Sequence, residues 1–166
     1  QTKLRPEIAR LLKIARGLGM STSLDPQWDA SEKWEYMEEW LPLLTYLFVN
    51  NDEAASISRA ASAEEACRQL AGRTNRPIVK TGPDGALAMT GGEVQAVTSY
   101  PVTVQDTTGA GDTFDAGFLA GFVQGWSLDR CLALAVACGS LSTRAVGGTG
   151  SQPTMDEALA ALRGVA

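Results

Sequence analysis

Asp112 closes the stretch of this chain in which residue types and spacing could both move a proton and hold an anion. That stretch reads Asp106-Thr107-Thr108-Gly109-Ala110-Gly111-Asp112-Thr113-Phe114. It follows a β-compatible segment and opens a helix, because Phe114, Phe118 and Phe122 recur every four residues and give one helical face an aromatic side. Gly117 and Gly121 on the same segment let another backbone approach closely. The first turn of a helix leaves backbone N–H groups unpaired at the positive end of its dipole. Gly109 and Gly111 remove the side chains that would keep a phosphate away, so the turn formed with Ala110 reads as an anion cradle. In that turn the dipole favours an ionised Asp112, poised to accept a proton from a nearby hydroxyl. The plainer alternative is that Asp112 only caps the helix and the glycines only make a tight turn.

Two further groups add to the cradle. Asn50 and Glu53, spaced N-x-x-E after the strand-like Tyr46 to Val49, stand where open α/β sheets hold their ligands. An amide and a carboxylate there could hold the water shell of Mg2+, which is bound through few carboxylates together with substrate phosphates. From spacing alone, the commoner meaning of N-x-x-E is an Asn helix cap with a first-turn Glu. Lys80-Thr81-Gly82 ends the next strand, with Gly85 in the turn beyond. A lysine at the carboxyl end of a sheet can meet phosphate, although without context it is more often a solubilising residue on an edge strand.

Other chemistries drop out. There is no G-x-x-x-x-G-K-[ST] tract, and Phe114 stands where a dinucleotide fingerprint after Gly109-x-Gly111 needs glycine or alanine. The chain holds no histidine, which excludes Ser-His-Asp and Cys-His relays and His-ligated zinc built from this chain alone. Fourteen Lys plus Arg against nineteen Asp plus Glu leave a net charge of −5 without a basic run, so a nucleic-acid role is not expected. Cys67, Cys131 and Cys138 are odd in number and lack C-x-x-C spacing, and read as small core residues in a reducing compartment. The most apolar window, between Arg130 and Arg144, is interrupted by Gly139, Ser140, Ser142 and Thr143 and reads as a buried helix, not a membrane span. Trp28, Trp34, Trp40 and Trp126 are assigned no ligand.

The elements that must position these residues follow from periodicity. With 166 residues, 45% of them hydrophobic and 20% charged, the chain is expected to fold as one domain. Helices are predicted from Pro6 to about Gly17, over Ser31 to Leu41, Glu53 to Ala60 and Ala63 to Ala71, then over Gly111 to Gly125, Leu128 to Arg144 and Met155 to Leu162. Strands are predicted at Ser21 to Leu24, Tyr46 to Val49 and Pro77 to Thr81, and their alternation with helices implies a parallel sheet. Short β-like runs at Ala86 to Thr90, Glu93 to Thr98 and Val102 to Gln105, punctuated by Gly85 and by Gly91-Gly92, imply an antiparallel edge. The chain opens at Gln1 on an amphipathic helix that needs a partner surface, which leads to the expectation that it is part of a longer protein.

The run from Asp106 through Phe114 and on to Asp115-Ala116-Gly117-Phe118 resembles the second signature of the PfkB, or ribokinase-like, carbohydrate kinases, D-T-T-G-A-G-D-x-F-x-x-G-F. The same family carries N-x-x-E and V-K-x-G-x-x-G in this order, similar to Asn50 to Glu53 and Val79 to Gly85, and its C-terminal loop resembles Gly147 to Pro153. The resemblance covers nearly the whole chain. It implies a three-layer α/β/α sandwich with a mostly parallel sheet and an antiparallel edge, and ATP-dependent phosphorylation of a small sugar of the fructose, ribose or keto-deoxy sugar acid class. Asp112 would be the base, and the amides of Gly109, Ala110 and Gly111 would stabilise the transferring phosphoryl group. Asn50, Lys80, Gly82 and Gly85 would line the nucleotide site, Glu53 would serve Mg2+ through water, and Asp106 with Thr108 would hold a monovalent cation such as K+. Family members run to about twice this length, so residues 1–166 would be the C-terminal part of a kinase domain, without the sugar-binding half and lid, and inactive alone. A nucleoside kinase is the alternative within the fold. A non-catalytic nucleotide-binding or interaction fragment, whose exposed seam a second copy could cover as a homodimer, is the alternative outside it. ATP use and free cysteines imply the cytoplasm.

Overall fold

Hydrophobic strands flanked by capped helices are what the pattern requires, and the computed structural model, which describes residues 4–164, contains them. The chain forms two compact units, one of residues 4–81 with Leu87–Gln95, the other of Gly82–Ala86 with residues 96–164.

The first unit begins with α1 (Arg5–Gly17), whose Pro6 sits in the first turn where a missing N–H is harmless. Next come β1 (Ser23–Leu24), the single turn α2 (Met37–Trp40) continued by a 3-10 turn at Leu41–Leu43, and β2 (Tyr46–Asn50). Then follow α3 (Asn51–Ser58), α4 (Ala63–Ala71) and β3 (Arg76–Lys80). A 3-10 turn at Gly82–Asp84 leads to β4 (Ala86–Thr90) and β5 (Glu93–Val97). The strand order is β1-β2-β3-β4-β5, and β1, β2 and β3 run parallel, with Leu24 opposite Leu47 and Phe48 opposite Ile78. The connections into β4 and β5 are too short for a parallel crossover, which needs a dozen or more residues, so this edge is antiparallel. A core of Trp40, Leu41, Leu44, Leu47, Val49, Ile57, Leu70 and Val79 holds the unit, with Leu87 and Met89 packed against it.

The second unit is helical: α5 (Ala110–Val123), α6 (Leu128–Ser142) and α7 (Met155–Arg163). Phe114 and Phe118 are buried, and Phe122 is half-buried. A Cβ added at Gly117 would lie 2.9 Å from Cys138 Cβ, and one at Gly121 would lie 3.1 Å from Cys131 Sγ. Glycine spacing on α5 is therefore what lets α6 approach it. Cys67, Cys131 and Cys138 are free and buried, and burial pushes the Cys67 and Cys138 thiols up to about 11. None of the described helices is long and apolar enough to cross a membrane.

Several expected boundaries are corrected. The helix predicted over Ser31 to Leu41 is reduced to Met37–Trp40, because the Asp29 carboxylate accepts from the backbone N–H groups of Ser31 and Trp34, both at 3.1 Å. Glu32 and Trp34 take left-handed backbone angles (φ 56° and 52°) in the turn so formed, which a helix cannot accommodate. The strand expected from Ser21 keeps only Ser23 and Leu24. Thr22 instead exchanges bonds with Thr45 and donates its hydroxyl to Leu43 O at 2.7 Å. Val102 to Gln105 is not a strand, since the N–H groups of Gln105 and Asp106 both donate to Thr143 O just past α6. The helix expected over Glu53 to Ala60 starts at Asn51 and stops at Ser58, where Arg59 turns left-handed with φ 63°.

Candidate active site

Parallel strands bring their carboxyl ends to one edge of a sheet, and ligands of open α/β sheets gather there. In the first unit this edge carries Asn50 and Lys80, which are register partners at the ends of β2 and β3. Asp25, directly after β1, joins them: Lys80 Nζ donates to Asp25 Oδ2 at 2.7 Å, with side chains only 13% and 18% exposed. Because β3 is central, Lys80 is not the edge-strand lysine of the plain reading. Asp25 is not among the candidate residues read from the sequence. Its position one residue past a strand's carboxyl end was the available signal.

Asn50 and Glu53 form a capping box at the start of α3. Asn50 Oδ1 accepts from Glu53 N at 2.9 Å, and Glu53 Oε2 accepts from Asn50 N at 3.0 Å. The plain reading of N-x-x-E therefore holds for the local structure. It leaves an acid 4% exposed. Burial pushes the Glu53 carboxyl above its ordinary range, the Asn50 N–H works against that shift, Asp25 adds to it and Lys80 opposes it. Asn50, Glu53, Lys80 and Asp25 thus form one electrostatic group.

In the second unit Asp106, Thr108 and the N-terminus of α5 are tied into one knot. Asp106 Oδ1 accepts from Thr108 N (2.9 Å) and Thr108 Oγ1 (2.8 Å), while Oδ2 accepts from Gly147 N at 2.8 Å. The N–H groups of Gly147 and Thr108 hold the Asp106 carboxyl below its ordinary range. The bonds join the loop before α5 to the C-terminal loop, both parts of this unit. Gly109 caps α5 with φ 74°, and a Cβ there would meet Gly148 O at 3.0 Å, so both conformation and space require glycine. Ala110 N donates back to Thr107 O, and the N–H groups of Gly111 and Asp112 stand in the first turn of the helix, where no intrahelical carbonyl is available to them. Asp112 lies in that turn and is exposed to solvent.

Gly85 has a backbone reason for its identity: at φ 99°, a Cβ would come within 1.9 Å of Val97 O. Gly82, also left-handed, accepts from Gly85 N at 3.0 Å. Of the expected residues, the structure brings Asn50, Glu53 and Lys80 together in the first unit, and Asp106, Thr108, Gly109, Ala110, Gly111 and Asp112 together in the second. Among the described residues no three acidic or cysteine side chains cluster as a metal centre. For Mg2+ the donor set is a single buried carboxylate with one oxygen engaged by its own cap. That fits contact through the ion's water shell and not an all-protein cage.

A model of the pfkB family carbohydrate kinases matches residues 3–155, and the chain belongs to that family. A ribokinase of Lactococcus lactis is 30% identical over 125 residues, which cover 75% of this chain and 41% of that protein. An ATP-dependent ribose-1-phosphate kinase of Halopiger xanaduensis is 32% identical over 164 residues, covering 97% and 53%. The structure of Arabidopsis thaliana ribokinase complexed with ribose and ATP superposes with a TM-score of 0.84 at 26% identity, over 96% of this chain and 53% of that one. The chain spans about half the length of the curated relatives it matches.

Proposed function

We propose that this chain is the nucleotide-binding half of an ATP-dependent kinase that phosphorylates a hydroxyl of a small sugar. The observation that carries the reading is Asp112 in the first turn of α5, three residues after the left-handed Gly109 that caps it. In the reaction the Asp112 carboxylate takes the proton of the acceptor hydroxyl, whose oxygen forms a bond to the γ-phosphorus as the bond to the β-γ bridging oxygen breaks and ADP leaves. The amides of Gly109 and Gly111 would donate to the oxygens on which charge gathers, joined by that of Ala110 once it gives up its bond to Thr107 O, and preorganised donors carry most of the catalysis in phosphoryl transfer. Asn50, Lys80, Gly82 and Gly85 line the nucleotide side. Glu53 would hold the water shell of Mg2+, which would supply neutralisation of phosphate charge, and Asp106 with Thr108 would hold a monovalent cation such as K+.

In an intact kinase containing this chain, Asp112→Asn is expected to lower turnover by more than about 10²-fold while Mg-ATP still binds. Near-normal turnover would reject the base. ADP release measured over ribose, fructose, a keto-deoxy sugar acid and adenosine separates the sugar reading from the nucleoside one. The isolated chain is expected to bind Mg-ATP without turnover, because the relatives it matches are about twice its length.

A further inference from the structure

The carboxyl ends of the three parallel strands place Asp25 just past β1, Asn50 at the end of β2 and Lys80 at the end of β3. The first turn of α3, which starts directly from β2, adds Asp52 and Glu53. The Glu53 carboxyl feels Asp25 and Asp52 as like charges and Lys80 as the opposing one. Three carboxyl groups therefore share the neighbourhood of one ammonium. That ammonium is already committed, since Lys80 Nζ donates to Asp25 Oδ2 at 2.7 Å and the two side chains are only 13% and 18% exposed.

Opposite charges at contact distance nearly cancel for anything farther away, so a lysine paired in this way presents little net charge to an incoming phosphate. Lys80 is thus not the electrostatic lure that its position alone suggests. With Asp25 in place, negative charge outweighs positive at this edge, and poor solvation makes the imbalance count for more than it would at an open surface. A nucleoside triphosphate carries about four negative charges at neutral pH, and its magnesium complex two fewer, so the uncomplexed form meets much the stronger repulsion.

We propose that Asp25 is a specificity-determining residue of the nucleotide site: by neutralising Lys80 it makes that site accept the magnesium complex of a nucleoside triphosphate and reject the uncomplexed anion. This role rests on the nucleotide site proposed above. It goes beyond joining the ends of β1 and β3, because a strut needs the bond between the two residues but is indifferent to the charge of the ligand.

The test is calorimetric titration of this chain with ATP, once in excess Mg2+ and once in EDTA, at one fixed ionic strength because salt screens the effect. The unaltered chain is expected to bind the magnesium complex at least about 10-fold more tightly than the uncomplexed anion. Asp25→Asn keeps an oxygen that can accept from Lys80 and removes the charge, so it is expected to strengthen binding of uncomplexed ATP and to shrink that ratio by about 5-fold or more. Glu38→Gln removes one carboxylate from the exposed Glu38–Arg73 ion pair, whose residues precede β2 and β3, and is expected to keep the ratio. A merely structural role for Asp25 would weaken both forms together and leave the ratio unmoved. An unchanged ratio in folded Asp25→Asn, or an equal fall in Glu38→Gln, would therefore overturn the proposal and leave the nucleotide site standing. If Asp25→Asn does not fold, the unaltered chain decides, since equal binding of the two forms is incompatible with the proposal. Failure of the folded, unaltered chain to bind either form would instead remove the nucleotide site, and the role of Asp25 with it.

Discussion

Lys80 Nζ lies 2.7 Å from Asp25 Oδ2, an ion pair that links the ends of β3 and β1, the strands on either side of β2. Both side chains are largely buried, so removing one partner leaves a charge in a poorly solvated place, and the loss exceeds what the pair itself contributes. Asp25→Asn and Lys80→Met are each expected to lower stability by about 2 to 3 kcal/mol, somewhat below the fully buried case because some water reaches the pair. The double variant should fall short of the sum by at least about 1 kcal/mol. Urea unfolding of the four proteins checks this, and additive losses would show that the two residues act separately.

Glu53 brings a pH dependence of definite sign. Burial raises its carboxyl above the unfolded value, so between the two values the folded chain binds more protons than the unfolded one. Stability from this group is therefore greatest below the unfolded value and declines as pH rises through the folded one. Glu53→Gln keeps an oxygen for the Asn50 N–H and removes the titration. Its stability relative to the unaltered chain should rise between about pH 4 and neutrality, as followed by urea midpoints across that range. A constant difference between the two proteins would mean the acid is not disfavoured in its charged form.

Asp29 shifts the other way. Burial acts to raise its carboxyl, but the bonds from Arg5, Ser31 and Trp34 outweigh it and bring it down to about 2 from 3.8. The stabilisation is present above 3.8 and is lost as pH falls through about 2. Asp29→Asn is accordingly expected to cost about 2 kcal/mol at neutral pH and nearly nothing at the acid end of that window. Trp34 reports the event locally, so its near-ultraviolet signal should weaken in the variant.

Asp29 also shows where the sequence stops being legible. Trp34, Met37 and Leu41 have helical spacing among acids and a lysine, yet a carboxylate five residues before Trp34 takes the N–H groups that a helix would have used. Side-chain capture of backbone is a tertiary outcome here, since it also needs Arg5 from α1. By contrast, β2, α4, β3 and α5 to α7 were readable within a residue or two, because their apolar period, caps and glycines agree with the packing they enter. At the candidate site the glycine-led helix start was plain from Gly109 to Phe114. Asp25 was not, because a lone Asp-Pro carries no trace of a lysine 55 residues later.

Gly117 sets how closely α6 can approach α5. An added Cβ would lie 2.9 Å from both Cys138 Cβ and Cys138 Sγ and 3.2 Å from Ala135 Cα, so the strain falls partly on backbone that cannot turn aside. Gly117→Ala is expected to cost about 1 to 3 kcal/mol despite the better helix propensity of alanine. Ala116 is exposed on the same helix, and Ala116→Ser should change stability by less than about 0.5 kcal/mol. Equal thermal midpoints for the two variants would refute the close packing.

Gly109 joins local strain to the proposed phosphate cradle. Its φ of 74° disfavours any side chain, and a Cβ would press on Gly148 O at 3.0 Å, in the loop that Asp106 holds through Gly147. Gly109→Ala should therefore cost about 1 to 2 kcal/mol and displace the first turn of α5 from the C-terminal loop. If that turn receives the phosphates, calorimetric titration with Mg-ATP should show affinity falling by about 10-fold or more, because donors misplaced by a few tenths of an ångström lose alignment with the anion. Gly111→Asp serves as the electrostatic counterpart: it leaves the left-handed cap alone but places a second carboxylate beside Asp112, and it should abolish binding. Loss in Gly111→Asp with retention in Gly109→Ala would separate charge from geometry. Retention in both would remove the phosphates from this turn altogether.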